Sequence, residues 1–362
     1  MSRAKVAVLK TRAESILDDY GRLMRLVNYA SYLPKDKTTQ LKINISWHVY
    51  FPSCSTAPWQ LEGVIKTLLD DGYPREKLVL CQNATVVVDP RVGARLNKLE
   101  GVAEKYRLPF HYLQDEGEEW IRYQPKAKML VLDKVYEKEG IWVPASFADT
   151  NIIHLPTVKT HVFTTMTGAM KNAFGGLLSE KRHWTHSVIH ETLVDLLAIQ
   201  KEIHSGIFAV MDGTFAGDGP GPRAMVPHVK GYLLASGDSV AMDAVAAKMM
   251  GFDPMSLAFI RLAHEAGLGC GDVKEIEVVG EDIRNVNFGF HGNQDTFASR
   301  GQKLIYHGWL KPLEKFLLRT AIAPWSYLAS VLYHDVYWYP LIGRRRVKAA
   351  LQTEWGRLFL SY

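Results

Sequence analysis

Lys159, His161, Lys171 and Asn172 fall within fourteen positions, interspersed with Thr164, Thr165, Thr167 and Gly168. An ammonium group offers a cation to a carboxylate or phosphate, and a desolvated amine can act as a base or nucleophile. Hydroxyls supply donors, and glycine lets the backbone approach a ligand closely. The competing reading pairs these lysines with structural acids or leaves them on the surface. The spacing favours a site in which Lys159, Thr167, Gly168 and Asn172 bind substrate or cofactor while Lys171 and His161 carry the chemistry.

Further along, His183, His186 and His190 stand at i, i+3 and i+7, so in a helix they share one face. Such a face suits metal ligands or an acid–base pair, with His186 as the catalytic member. The neighbouring Glu191 does not sit between the histidines as a zinc-protease motif requires. Asp212 follows an apolar run ending at Met211, where an acid can orient a histidine. Asp218 lies in a Gly/Pro-rich stretch, Asp212–Pro222, that reads as a loop and offers a second ligand contact. Asp238 reads as a helix cap, and Gly267–Gly271 as a helix terminus.

These residues need a scaffold. Strands are expected at Ala4–Lys10, Leu41–Val49, Lys77–Cys81, Phe110–Leu113, Met129–Tyr136, Ile141–Pro144, Asn151–Pro156, Phe208–Met211, Gly231–Ala235 and Glu275–Val279. Helical spacing marks Ser15–Leu33, a segment from Pro58 to about Gly72, Val92–Tyr106, Glu191–Ile203, Ser239–Met250 and Pro254–Ala266. Connections too long for hairpins point to mostly parallel sheets covered on both faces. Ligands of such sheets lie at the carboxyl ends of strands, which nominates Asn44, Ser46, Ser55, Thr56 and Asn83. Ser55 or Thr56 also reads as the cap of the helix that follows.

The chain has 362 residues, 47% hydrophobic and 22% charged, enough for an α/β body of two lobes with an appendage. The boundaries expected are 1–150 for the first lobe, 151–284 for the second and 285–362 for a helical appendage. Residues 301–362 carry nine Lys/Arg against three Asp/Glu, a net +6, which leaves −1 for residues 1–300. A near-neutral body argues against a nucleic-acid groove. The first ten residues lack the apolar core of a secretory signal, and three scattered cysteines form no disulfide or cluster framework. A cytoplasmic, reducing location is expected. Residues 301–362 also hold four of nine tryptophans and six of sixteen tyrosines. They suit packing on the body, homo-oligomer contact or peripheral attachment to a membrane surface.

Lys-x-His, Thr-Gly-Ala-x-Lys-Asn-x-Phe-Gly, a downstream His, Asp-Gly…Gly-Asp-Gly-Pro and Gly-Asp…Asp-Ala together resemble the family catalogued as domain of unknown function 362. The likeness runs from about Lys42 to Val279. Many members carry ferredoxin-type cysteines, which this chain lacks; the resemblance thus implies, at most, electrons from a separate ferredoxin. A remoter resemblance is to lactate-racemase-like proteins, in which a lysine carries a nickel-pincer nucleotide. That likeness implies a two-lobed fold and a lysine-attached nucleotide on Lys171, or a divalent metal near the histidines. The function expected is proton transfer on a small anionic metabolite, racemase- or epimerase-like, in a cleft between lobes. A ferredoxin-linked redox or cofactor-handling protein and a membrane-surface scaffold are the alternatives.

Overall fold

The computed structural model describes residues 3–85, 87–292, 294–319 and 324–362. The strands are β1 (Lys5–Lys10), β2 (Thr39–Ile43), β3 (Leu78–Gln82), β4 (Phe110–Tyr112), β5 (Trp120–Tyr123), β6 (Ile141–Pro144), β7 (Asn151–Leu155), β8 (Thr157–His161), β9 (Thr165–Met166), β10 (Gly206–Asp218), β11 (Val226–Ser236) and β12 (Glu277–Gly280). Ten of them form one sheet with the path β12-β1-β11-β10-β7-β2-β3-β4, while β8 joins β10 and β9, and β5 pairs with β6. Along that path only β11 runs against its neighbours. The mostly parallel α/β expectation is met.

The sheet joins strands from both expected lobes: β7 and β10 of the later half lie between β2 and β11, and β1 lies between β11 and β12. What looked like two lobes is two cores on opposite faces of this sheet. Successive side chains alternate between faces: Val6 and Val8, Ile152, Ala209 and Met211 enter one core, while Ala7 and Leu9, Ile153 and Leu155, Phe208 and Val210 enter the other. Strands β2 and β7 are buried throughout, as parallel strands covered on both faces must be.

Local chemistry explains the differences from the sequence expectation. Leu132–Val135 is a helix rather than a strand, because Asp195 accepts the backbone N–H groups of Leu130, Val131 and Leu132 at 2.7, 2.9 and 2.9 Å and fixes a helical start. The helix expected over Val92–Tyr106 is two, Pro90–Leu96 and Leu99–Tyr106, separated by Lys98 at φ 60°. The segment Asp212–Asp218, expected as loop, continues β10 and pairs with β11 through an irregularity between Gly213 and Phe215. Asp238 does cap its helix, accepting from Val240 and Ala241.

The C-terminal segment is helical and returns to the body. Trp355 packs on Trp59 with ring centroids 5.7 Å apart, Phe359 stacks on Tyr50 at 3.6 Å, and the Trp47 indole donates to Asp335 at 2.5 Å. Among the described residues no helix is long and apolar enough to cross a membrane.

Candidate functional site

Lys171 is presented by a helix of one turn, Ala169–Asn172. So short a helix needs its first N–H groups satisfied from outside. Asp243, on the helix Ser239–Met250, supplies this by accepting from Ala169 at 2.7 Å and Met170 at 3.1 Å. Burial pushes the Asp243 carboxyl up to about 7. A Cβ on Gly168 would lie 2.2 Å from Asp243 Oδ1, so glycine is required for this contact. Gly168→Ala is expected to cost about 1–3 kcal/mol through overpacking and to weaken ligand binding at Lys171. Thermal denaturation with ligand titration checks both effects, and an unchanged melting temperature would refute the packing argument.

The other end of the turn is tied to the sheet. Asn172 donates to the Lys42 carbonyl at 2.8 Å and lies 3.4 Å from His154 Nδ1, while His154 Nε2 lies 2.7 Å from Gln200 Oε1. Burial lowers His154 to about 4, so it is neutral and structural. Gly176 leaves room for the Lys42 side chain, which a Cβ there would meet at 2.7 Å.

These elements open onto a cavity of about 660 Å³ at the carboxyl ends of β2 and β3. Lys42, Asn44, Gln82 and Asn83 line it from the sheet, and His161, Lys171, Asn172 and Phe174 from the segment that follows β7. Arg182, His183 and His186 also line it, as do Arg223 and the tail residues Tyr306, Tyr327, Ser330 and His334. No aspartate or glutamate is among the described residues that line it.

The field in this cavity is positive. Lys42 is fully buried, donates to Ile43 O at 2.6 Å and Gln82 Oε1 at 2.5 Å, and is lowered by burial to about 7. Lys171 makes no hydrogen bond or ion pair with any described residue; its Nζ lies 5.1 Å from the Phe174 ring centre. Desolvation first, then the charges of Lys159 and Arg182, lower it to about 7. Arg182 donates to the Ala84 carbonyl. Arg223 donates to Ser330 Oγ at 2.9 Å, and its buried Nη1 has no hydrogen-bond partner among the described residues.

Two of the cavity histidines have a ring nitrogen assigned by its bonding to the backbone. His161 Nδ1 accepts from the Phe163 N–H at 3.1 Å, so Nε2 carries the proton. Burial and the neighbouring Lys171 hold this imidazole neutral, well below its usual range. His186 Nδ1 donates to the His183 carbonyl at 3.0 Å, which leaves Nε2 as an acceptor, and burial lowers the ring to about 3. His183 and His186 lie on one 3-10 helix, Glu180–Val188, where i and i+3 eclipse.

Several expected residues lie elsewhere. His190 begins the next helix and packs on Phe259 with centroids 6.1 Å apart, so the three histidines do not converge. Among the described residues no group of three His, Cys, Asp or Glu is arranged to hold a metal ion. Asp212 is buried away from the cavity, accepting from Tyr20 Oη at 2.6 Å, Trp59 Nε1 at 2.9 Å, and Thr214 N and Oγ1 at 2.9 and 2.7 Å. Burial raises its carboxyl. Asp218 is engaged with His291, at 2.9 Å to its N–H and 2.8 Å to Nδ1.

Ser55 and Thr56 do not line the cavity, and neither caps a helix. Their hydroxyls accept from Ser46 N and Asn44 N at 3.3 and 2.8 Å, shaping the loop that carries Asn44. Thr167 lies beneath, its N–H donating to Lys159 O at 2.9 Å. Lys159 is buried behind Ser46, donating to Cys54 O at 2.5 Å and Ser46 Oγ at 3.2 Å, and burial lowers it to about 8. It adds charge without lining the cavity. Burial pushes the Cys54 and Cys81 thiols up to about 11 and 12, which makes them poor nucleophiles.

Sequence reasoning missed Lys42, Arg182 and Arg223 as site residues. A lysine set between Leu41 and Ile43 within an expected strand was the available signal for Lys42. Arg223 and the tail residues carry no such signal, because only the fold brings them together.

The thylakoid-associated protein sll1697 of Synechocystis sp. (strain ATCC 27184 / PCC 6803 / Kazusa) is 28% identical over 120 residues, 32% of this chain and 37% of that protein's length. The family described as "Domain of unknown function (DUF362)" matches residues 40–248, from β2 through most of the helix that bears Asp243. That is more than half of the chain, and the chain belongs to this family.

Proposed function

We propose that the protein is an enzyme that binds a small anionic metabolite and moves a proton on it, as a racemase or epimerase does. The observation that carries this reading is a cavity lined by two lysines, two arginines and four histidines with no carboxylate among the described lining residues. Lys42, Arg182 and Arg223 hold the anion, with Asn44 and Asn172 beside them. The uncharged amine of Lys171 takes a proton from the carbon next to the substrate carboxylate. The neutral His161 donates through Nε2–H to the carboxylate oxygen on which negative charge develops. Lys42, also brought to about 7, returns the proton, and the His186 Nε2 accepts a hydrogen bond from a substrate hydroxyl or amine.

The base must be uncharged and the acid charged. Activity therefore rises with pH as Lys171 loses its proton and falls as Lys42 loses its own, giving a bell centred near 7. Incorporation of solvent deuterium into a panel of 2-hydroxy and 2-amino acids, followed by mass spectrometry across pH, tests this. No incorporation in any panel member, or incorporation with a flat pH profile, rejects the reading. The free amine of Lys171 also fits the attachment of a nucleotide cofactor, as the lactate-racemase resemblance implies; the intact mass of the purified protein distinguishes a bare lysine from an adduct.

A further inference from the structure

The cavity is roofed by a helical run with two unlike faces. Residues Pro324–Val331 are α-helical, Leu332–Gly343 form a π-helix and Arg344–Leu351 continue as α-helix. Tyr327, Ser330 and His334 face inward and line the cavity. Trp325, Leu328, Leu332, Val336 and Leu341 face outward, 44% to 62% exposed, and the same side continues through exposed Arg344, Arg345 and Lys348. Their spacing of three to five residues follows the turns of an α-helix that widens into a π-helix.

This apolar exposure is concentrated. Of nineteen exposed large hydrophobic residues among those described, twelve lie at or beyond Phe297. A surface so apolar is usually covered. The charges on it indicate by what. Residues 297–353 contain only two carboxylates, Glu314 and Asp335. Glu314 is buried and accepts from Ser187 Oγ at 3.1 Å, and Asp335 accepts the Trp47 indole N–H at 2.5 Å. The outer face therefore combines apolar side chains with cations and no acid. A second copy would press cation against cation, whereas anionic lipid headgroups complement the arginines while the acyl region accepts tryptophan and leucine.

We propose that this outward face docks on an anionic bilayer surface, with the helix lying in the interface and its inner face over the cavity. The proposal does not depend on the reaction assigned above. Co-sedimentation of the full chain with vesicles tests it, comparing phosphatidylcholine alone with phosphatidylcholine and phosphatidylglycerol in equal parts. The parent is expected to bind the anionic vesicles, and added salt to weaken the binding. The triple variant Leu328→Glu/Leu332→Glu/Val336→Glu and the double variant Arg344→Gln/Arg345→Gln should each bind about tenfold or more weakly. Both should keep the parent's melting temperature, since they alter exposed side chains. Absence of binding by the parent, or full binding by both variants, overturns the proposal. So does a concentration-dependent dimer that the triple variant abolishes while vesicles capture nothing, which would assign the face to a second copy.

Discussion

Lys171→Met is expected to fold as the parent does and to lose deuterium incorporation by about 10²- to 10⁴-fold, the usual contribution of a positioned general base. The two halves of this expectation share one cause. Lys171 is desolvated beside Lys159 and Arg182 and has no hydrogen bond or ion pair with any described residue, so its removal takes little from the fold and relieves the cost of burying an ionisable amine. The melting temperature should be unchanged or higher. A structural lysine would show the reverse, a lower melting temperature with activity intact, and that result would end the catalytic assignment.

Asp212→Ala should give the opposite pair of effects. Its carboxylate accepts from the Tyr20 hydroxyl, the Trp59 indole and two groups of Thr214, all buried. Truncation leaves these donors without an acceptor, at a cost of about 3–5 kcal/mol. Denaturant unfolding measures the loss. Deuterium incorporation per folded molecule should stay at the parent level, because Asp212 lies outside the cavity. A fall in that rate at temperatures where the variant remains folded would return Asp212 to the chemistry.

These two residues mark how far the sequence could be read. Lys171 was legible because a charged side chain just past a buried strand, among small and hydroxyl residues, has few structural uses. Asp212 followed the same logic and led elsewhere: its position at the carboxyl end of an apolar run was recognisable, but which side chains surround it depends on Tyr20 and Trp59, far away in the chain. The alternation of strands and helices was visible, yet one sheet with two faces produces the same rhythm as two lobes. Glycines after Met211 suggested a loop. In the fold they relieve crowding within β10, where a Cβ on Gly217 would lie 2.5 Å from Ser53 Oγ. The histidines at 183, 186 and 190 share a face only if one helix type continues, and the change from 3-10 to α after Val188 separates the last of them.

The way the tail closes over the sheet also bears on how the molecule is made. Strand β1 pairs with β11 and β12, more than 200 positions further along, and Trp47 meets Asp335 across 288 positions. Contacts so distant along the chain exact a loop-closure entropy before they give anything back, and they slow folding. Pairing of β2 with β3 and β7 forms the floor of the cavity, but the side lined by Tyr327, Ser330 and His334 stays open until the C-terminal helices pack. Closure of the cavity therefore waits on the longest loop closures in the fold, not on the assembly of its floor.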